Sequence, residues 1–254
     1  MELAGKTAIV TGAAVGVGRA TALDLARRGM NVVVNYSRSE AEAKETVAEV
    51  ERLQAKALLV RADVSNDAEV RSMVERTMQA FGAVNVLVNN AATTAFVNFA
   101  DLEGLKEEHW DRILDVNLKG PFFCARAVAE SMRAAGEGAI VNVASIAGVR
   151  SIGSSIAYAA SKAGLINMTV ALARVLAPQV RVNAVAPGFI DTRWLREGLG
   201  DFFEPAREQT AKQTPLQRVA TAEDVAQLVL SLIAGADFVT GQTIIVDGGN
   251  SIRA

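Results

Sequence analysis

Tyr158 and Lys162, in "AYAASKAGL" at 157 to 165, stand four residues apart in a chain that holds only one other tyrosine, Tyr36. On a helix that spacing puts both side chains on one face. A free phenol titrates near pH 10, too high for acid–base work at neutral pH, and a nearby ammonium favours the phenolate and lowers that value. The pair is therefore a route to a general acid or base without histidine. By itself it also fits an ordinary helix surface, since the pattern arises freely by chance. Histidine and cysteine offer little else. His109, the only histidine, sits in the polar helix start "KEEHWDRIL" and reads as a solvated residue. Cys124, the only cysteine, sits in "GPFFCARAV" and reads as a small buried hydrophobe. No disulfide, no thiolate metal cluster and no histidine triad can be assembled, and no metal is expected. Proton transfer falls to Tyr, Lys, Asp or Glu.

A second constellation opens the chain. In "AIVTGAAVGVGRATALDLARRG", Gly12, Gly16 and Gly18 lie between a strand and a helix. Glycines there permit a tight turn, let a pyrophosphate approach the backbone, and leave the first N–H groups of the helix facing the anion. The spacing G-x-x-x-G-x-G differs from the G-x-G-x-x-G of many dinucleotide folds. The end of the second strand must then meet the adenosine ribose. An acid there binds the hydroxyls of NAD, but the chain reads Asn35, Tyr36, Ser37, Arg38, with no acid before Glu40. Arg38 can form paired hydrogen bonds to a phosphate and Ser37 can add another, so NADP(H) is expected over NAD(H). Asp63, in "RADV", is placed to meet adenine.

These residues need a scaffold, and the pattern supplies one. Strand candidates are "KTAIVTG", "MNVVVNY", "AKALLVRAD", "VNVLVNNA", "GAIVNVAS", "VRVNAVAPG" and "QTIIVDGG". Most are continuous apolar runs, as parallel strands covered on both faces require. Helical stretches lie between them. Ser39 with Glu42, Asn66 with Glu69, and Thr221 are expected caps. The expected fold class is α/β: a Rossmann-like doubly wound parallel β-sheet of about seven strands with helices on both faces. With no linker or repeat, residues 1–254 read as a single NAD(P)-binding domain. The rhythm breaks at about 191–217, where "DTRWLREGLGDFFEPAREQTAKQTPLQR" mixes aromatics, charges and prolines. It reads as a helical excursion over the carboxyl edge of the sheet, a lid or binding loop.

Composition narrows the partners. The chain has 254 residues, 50% of them hydrophobic and 21% charged, with a net charge of −2 and no basic block. No footprint for nucleic acid is visible. The start lacks a signal-peptide core, and no apolar run is seen to approach the roughly 20 residues of a membrane helix. A cytoplasmic protein is expected.

Taken together, the motifs resemble the short-chain dehydrogenase/reductase family in its compact one-domain form. "TGAAVGVG" is similar to that family's T-G-x-x-x-G-x-G, and "NNAA" at 89 to 92 to its N-N-A-G, with Ala92 for glycine. Asn117 in "DVNLKG", Ser145 thirteen residues before Tyr158, "VRVNAVAPGFIDT" and "VTGQTIIVDGG" follow in order along nearly the whole chain. The resemblance implies that Tyr158 exchanges a proton with a carbonyl or alcohol. Lys162 would lower its pKa and bind the nicotinamide ribose, and Ser145 would hydrogen-bond the carbonyl oxygen. Asn117 would hold a water in a proton relay through Lys162, and hydride would pass between nicotinamide and the carbonyl carbon. It also implies cofactor contacts from Val17, Val64, Asn90, Ala91, Pro187, Gly188, Ile190 and Thr192. Where many NADP-using relatives carry a basic residue in the glycine turn, this chain has Val15, which leaves 2′-phosphate recognition to Arg38.

The layout is nearest to 3-oxoacyl-acyl-carrier-protein reductases. The expected substrate is a small carbonyl or alcohol, carrier-protein-bound in one version, with Arg133 and Arg174 as positive charges for an acidic carrier. A sugar or polyol dehydrogenase is the alternative, and a non-catalytic NADP-binding module a more distant one. Pocket residues are expected from Thr93, Thr94, Ile146, Ile152 and Phe189, with Trp194 and Phe202 from the excursion. A homotetramer or homodimer is implied, paired through 107–135, 156–177 and the last strand.

Overall fold

Successive residues of a strand face opposite sides of a sheet, and here both sides are apolar. Ala8, Val10, Val32 and Val34 face one core, while Ile9, Val33, Leu87 and Ile140 face another. The protein is described by a computed structural model, which covers residues 1–252. Its strands are β1 (Thr7–Val10), β2 (Asn31–Tyr36), β3 (Ala57–Arg61), β4 (Val86–Asn89), β5 (Gly138–Val143), β6 (Val180–Pro187) and β7 (Thr243–Val246). They form one parallel sheet in the order β3-β2-β1-β4-β5-β6-β7. The order reverses between β1 and β4, which opens a crevice at the carboxyl ends of those strands.

The helices are α1 (Gly16–Arg27), α2 (Glu40–Arg52), α3 (Asp67–Phe81), α4 (Glu107–Leu114), α5 (Gly120–Ala134), α6 (Ala147–Arg150), α7 (Ile156–Leu176), α8 (Arg193–Leu199), α9 (Phe203–Gln213) and α10 (Ala222–Ala234). Leu25 of α1, Val50 of α2 and Val229 of α10 close the first core. Met73 of α3, Val128 of α5 and Leu176 of α7 close the second. Each such side chain taken out of water contributes about 1.5–3 kcal/mol.

Helix starts divide into two kinds. Asn66 accepts hydrogen bonds from the N–H groups of Ala68 and Glu69, and Thr221 forms a reciprocal box with Asp224. Asp224 is held by Arg218 and its carboxyl falls to about 2. Ser39 does not cap α2, contrary to the sequence expectation: Glu42 is turned instead to Arg193, at 2.6 Å. His109 is not merely solvated either, since its Nδ1 accepts the N–H of Lys106 at the start of α4. Between α4 and α5 the chain makes a π turn, Asp115–Lys119, so the two helices run as one interrupted helix. One expectation about length needs correction. α7 has 21 residues with a mean hydropathy of 1.3, long and apolar enough to cross a membrane by that measure alone. Its apolar residues belong instead to the core, where Leu165, Leu172 and Leu176 are buried.

Candidate active site

The glycine turn is built by polar groups buried under it. Thr11 Oγ1 accepts the N–H groups of Asn90 and Ala91, both at 3.0 Å. Asn90 Nδ2 donates back to the carbonyls of Thr11 and Gly12 at 2.9 and 3.0 Å. Asn35 Oδ1 accepts the N–H of Gly12 at 3.1 Å, and its Nδ2 donates to the carbonyl of Ala62 at 3.0 Å. The ends of β1, β2, β3 and β4 are thus stitched together by neutral side chains. Gly12 and Gly16 have φ of +61° and +57°, and a Cβ on Gly16 would meet only the Thr192 methyl, at 3.7 Å. That face of the turn is open, on the conformations only glycine adopts freely.

The turn leads into α1, whose first residue follows Val15, an N-cap that offers no side-chain hydrogen bond. No acid stands in the first turn of α1, whereas α2, α3 and α10 all carry acids there. The first N–H groups of α1 therefore face the cleft without a carboxylate in front of them, a site suited to an anion. These features fit the pyrophosphate of a dinucleotide.

Above the turn lies a cleft of about 970 Å³ at the carboxyl edge of the sheet. Ser37, Arg38, Asp63 and Val64 line its far end, beside β2 and β3. Arg38 is exposed and makes no side-chain hydrogen bond or ion pair among the described residues. The acid nearest to it in sequence, Glu40, is held by Lys44 at 2.7 Å. Asp63 faces the cleft, but its carboxylate already accepts from Ser65 Oγ at 2.7 Å and Arg112 at 2.9 Å. Those bonds hold its pKa below the usual range against the cost of burial. Val17, Ala91 and Thr192 line the middle, with Pro187, Gly188 and Ile190 on the opposite wall. Gly18 does not line the cleft: it lies under the glycine turn, against the Gly12 carbonyl and Asn90 Nδ2.

At the near end stand Tyr158, Lys162 and Ser145. Ser155 caps α7 by accepting the N–H of Tyr158 at 3.2 Å, which sets the angle at which the helix enters the site. Lys162 is buried, with Nζ donating to the carbonyl of Val143 at 2.8 Å and lying 5.7 Å from the centre of the Tyr158 ring. Burial pushes Lys162 down to about 8. It also pushes Tyr158 up to about 12, against the lowering effect of its hydrogen bond with Ser145. This differs from the sequence expectation of a lowered phenol: burial outweighs the hydrogen bond that favours the phenolate. Cys124 is buried and pushed up to about 12, no nucleophile at neutral pH.

Asn117 lies in the π turn, wholly buried behind the wall. Its Oδ1 accepts the N–H of Thr93 at 2.8 Å, and its Nδ2 donates to the Thr93 carbonyl at 2.9 Å and to Ser161 Oγ at 3.0 Å. Ser161 Oγ donates in turn to the carbonyl of Tyr158 at 2.7 Å. The amide therefore couples the 93–94 loop to the helix of Tyr158. Gly148 of α6 presses on that same helix: a Cβ there would stand 2.6 Å from the N of Ala163 and the carbonyl carbon of Lys162. Only glycine fits, and the contact fixes the depth of Lys162.

The excursion roofs this end. Trp194 and Leu195 of α8, and Phe202 just before α9, line the cleft with Ile152 and Phe189. The Trp194 ring lies 6.1 Å from that of Tyr158 and 6.2 Å from that of Phe96. Thr94 lies off the wall and shares a 2.5 Å hydrogen bond with Ser154, while Val97 N donates to the Ser154 carbonyl at 2.9 Å. Sequence reasoning missed Thr11, Asn35, Ser161, Gly148 and Phe96. The signal for the first three was present: a lone polar residue in an apolar run must find a buried partner.

Comparison with known proteins agrees along the whole chain. A family model described as enoyl-(acyl carrier protein) reductase matches residues 12–251. The protein assigned as ketoacyl reductase 2 of the granaticin polyketide synthase of Streptomyces violaceoruber is 43% identical over 242 residues, 95% of this chain and 94% of that one. The 3-oxoacyl-[acyl-carrier-protein] reductase FabG of Staphylococcus epidermidis is 41% identical over 246 residues, 96% of this chain and 98% of that one. A crystal structure assigned as a short-chain alcohol dehydrogenase from Sinorhizobium meliloti superposes with a TM-score of 0.92 at 33% identity, covering 100% of this chain and 99% of that one. Another, assigned as a short-chain dehydrogenase/reductase from Burkholderia xenovorans, gives 0.91 at 32%, covering 97% and 98%.

Proposed function

The chain belongs to the short-chain dehydrogenase/reductase family and is an oxidoreductase of that type, and within it we propose an NADP(H)-dependent reductase of ketones, with 3-oxoacyl thioesters as the natural substrate type. The observation that carries this reading is the meeting of Tyr158, Ser145 and Lys162 at one end of a cleft whose other end offers an unpaired arginine. Bound in that cleft, NADPH supplies the hydride. The protein's part is to hold the carbonyl and deliver a proton. Ser145 donates to the carbonyl oxygen as negative charge develops there, and Tyr158, protonated at neutral pH, gives the oxygen its proton. Lys162 then stands beside a phenolate and stabilises it, a role for which a charge is retained at neutral pH by a pKa of about 8. Asn117 would hold the relay water, with both Nδ2 hydrogens engaged by Thr93 and Ser161 and its Oδ1 accepting the N–H of Thr93.

Cofactor choice follows from the far end of the cleft. An acid would repel a 2′-phosphate, and the acid nearest to Arg38 in sequence, Glu40, is already neutralised by Lys44. Arg38 and Ser37 supply the donors. The relatives' names favour 3-oxoacyl substrates carried on an acyl carrier protein. Arg174 is exposed near the end of α7 beside Arg133, whose guanidinium donates to the Val175 carbonyl at 2.8 Å, so two cations share one patch for an acidic carrier. A sugar or polyol is disfavoured by the apolar roof, which offers few partners for many hydroxyls.

The test is a spectrophotometric assay with NADPH and a panel of 3-oxo esters and ketones. NADPH consumption dependent on the ketone, and slower with NADH, is expected. Tight NADPH binding with no ketone consumed would sink the reading.

A further inference from the structure

The roof over Tyr158 carries a cluster of large apolar side chains left open to the cavity. Trp194 is 41% exposed, Phe96 40%, Ile152 47% and Phe202 77%. Single exposed aromatics are ordinary on a protein surface, but several gathered around one cavity beside a titratable group mark what the cavity takes. The charges near that half, Lys162 and Arg193, are already engaged. The charged side chains on the cleft wall, among the described residues, are Arg38, Asp63, Arg112, Lys162 and Arg193. Asp63 and Arg112 pair with each other, and Arg193 pairs with Glu42. Lys162 is buried against Val143, and Arg38 stands beside the end of β2. None of them is left to meet a carboxylate or phosphate on the substrate.

Trp194 is also held in place. Arg193 anchors the start of α8 to Glu42, and Arg196 anchors its middle to Asp191 and Glu204, both at 2.8 Å. The guanidinium of Arg196 lies 4.2 Å over the Phe203 ring. From the other side Phe96 packs on Gly198, where no Cβ would fit. The indole thus stands between Phe96 and Tyr158 with one side facing the cavity.

We propose that Trp194 is a specificity-determining residue, and that with Phe96 it selects an uncharged ketone whose carbonyl bears an aromatic ring. The proposal rests on Tyr158 as the proton donor and deepens that reading. A ring attached to a carbonyl held by Ser145 and Tyr158 lies within one ring's reach of the indole, where stacking and burial favour it over a methyl group.

A matched pair of 3-oxo esters tests this, ethyl benzoylacetate and ethyl acetoacetate, which differ only in phenyl against methyl. Trp194→Ala is expected to lower kcat/KM for the benzoyl ester about tenfold or more, and for the methyl ester less than about threefold. Trp194→Phe should keep most of the preference. An equal fall for both esters would make Trp194 a mere support for Tyr158 and overturn the proposal. A rise for both would make the indole a plug and overturn it equally. A second readout does not depend on turnover. Trp194 is one of two tryptophans, with Trp110. The benzoyl ester should quench its fluorescence in the NADPH-loaded Tyr158→Phe protein, and quenching should vanish when Trp194→Phe is added. No quenching overturns the aromatic contact. Failure of the ketone-reductase reading has a different signature: neither ester is reduced by the unmodified protein, while the quenching persists.

Discussion

The floor and the roof of the cleft are fastened by different chemistry. Below, Thr11, Asn35, Asn90, Asn117 and Ser161 are tied by short neutral hydrogen bonds, most of them to backbone. Above, α8 and α9 are tied by exposed pairs: Arg193 to Glu42, Arg196 to Asp191 and Glu204, and Arg207 to Glu204. Buried neutral bonds are indifferent to salt and costly to leave unmade. Exposed ion pairs are weak and screened. Proton transfer needs positions held to a fraction of an ångström, whereas loading and release of a large cofactor need a cover that lifts. On the proposed reading, the stiff fastening stands where geometry decides the rate and the soft one where cofactor and substrate would pass.

The contrast can be broken first at the floor's reacting group. Tyr158→Phe should lower kcat for ketone reduction by about 10²- to 10⁴-fold with NADPH binding kept, as read by turnover and by titration of nicotinamide fluorescence. Activity near that of the unmodified protein would remove Tyr158 from the chemistry. Next comes the far end of the cleft. Arg38→Ala should lower kcat/KM for NADPH about 10- to 100-fold while NADH changes little; equal losses with both would end the phosphate assignment.

A third experiment concerns the buried ammonium. Lys162 has a folded-state pKa of about 8 against an ordinary 10.5. Between those values the unfolded chain binds more protons, so this group makes the protein more stable as pH rises through that window. The contribution is up to about 3 kcal/mol. Urea unfolding of the unmodified protein and of Lys162→Met should therefore diverge in favour of the former between pH 8 and pH 10. Parallel curves would place the ammonium in water. The smallest effect is expected at the roof. Arg193→Ala, or high salt, should speed hydrogen exchange in residues 193–199 and change kcat/KM less than about fivefold. A collapse of activity would mean the roof is as stiff as the floor.

Much of this was legible in the residues. Continuous apolar runs such as "TAIV" and "GAIVNV" marked strands covered on both faces, because only such strands have no polar side. The glycine turn and the Tyr–Lys pair, singled out by their spacing, line one cleft. Asn66 and Thr221 cap as expected, since nothing else competes for their oxygens. Ser39 does not, because Glu42, its partner in the expected box, is drawn away by an arginine 151 residues distant in the chain. The phenol's raised pKa was equally hidden: the neighbouring lysine is visible in sequence, while the burial that raises the phenol comes from packing between distant segments. Long-range packing of that kind leaves no local trace.

The π turn at Asp115–Lys119 has a meaning for how this chain tolerates insertion and loss. A π turn is a helix carrying one residue too many. Were it to relax into an α-turn with that residue still present, everything downstream would rotate by about 100°. Cys124, Val128 and Met132 would then leave the sheet on which they are buried. The core behind the site thus keeps the surplus residue bulged out, and the bulge is where Asn117 sits. A deletion of one residue there would leave a smoother helix and an intact core, yet would erase the tie between Thr93 and Ser161. The frame of the helix, counted residue by residue, is part of the active site.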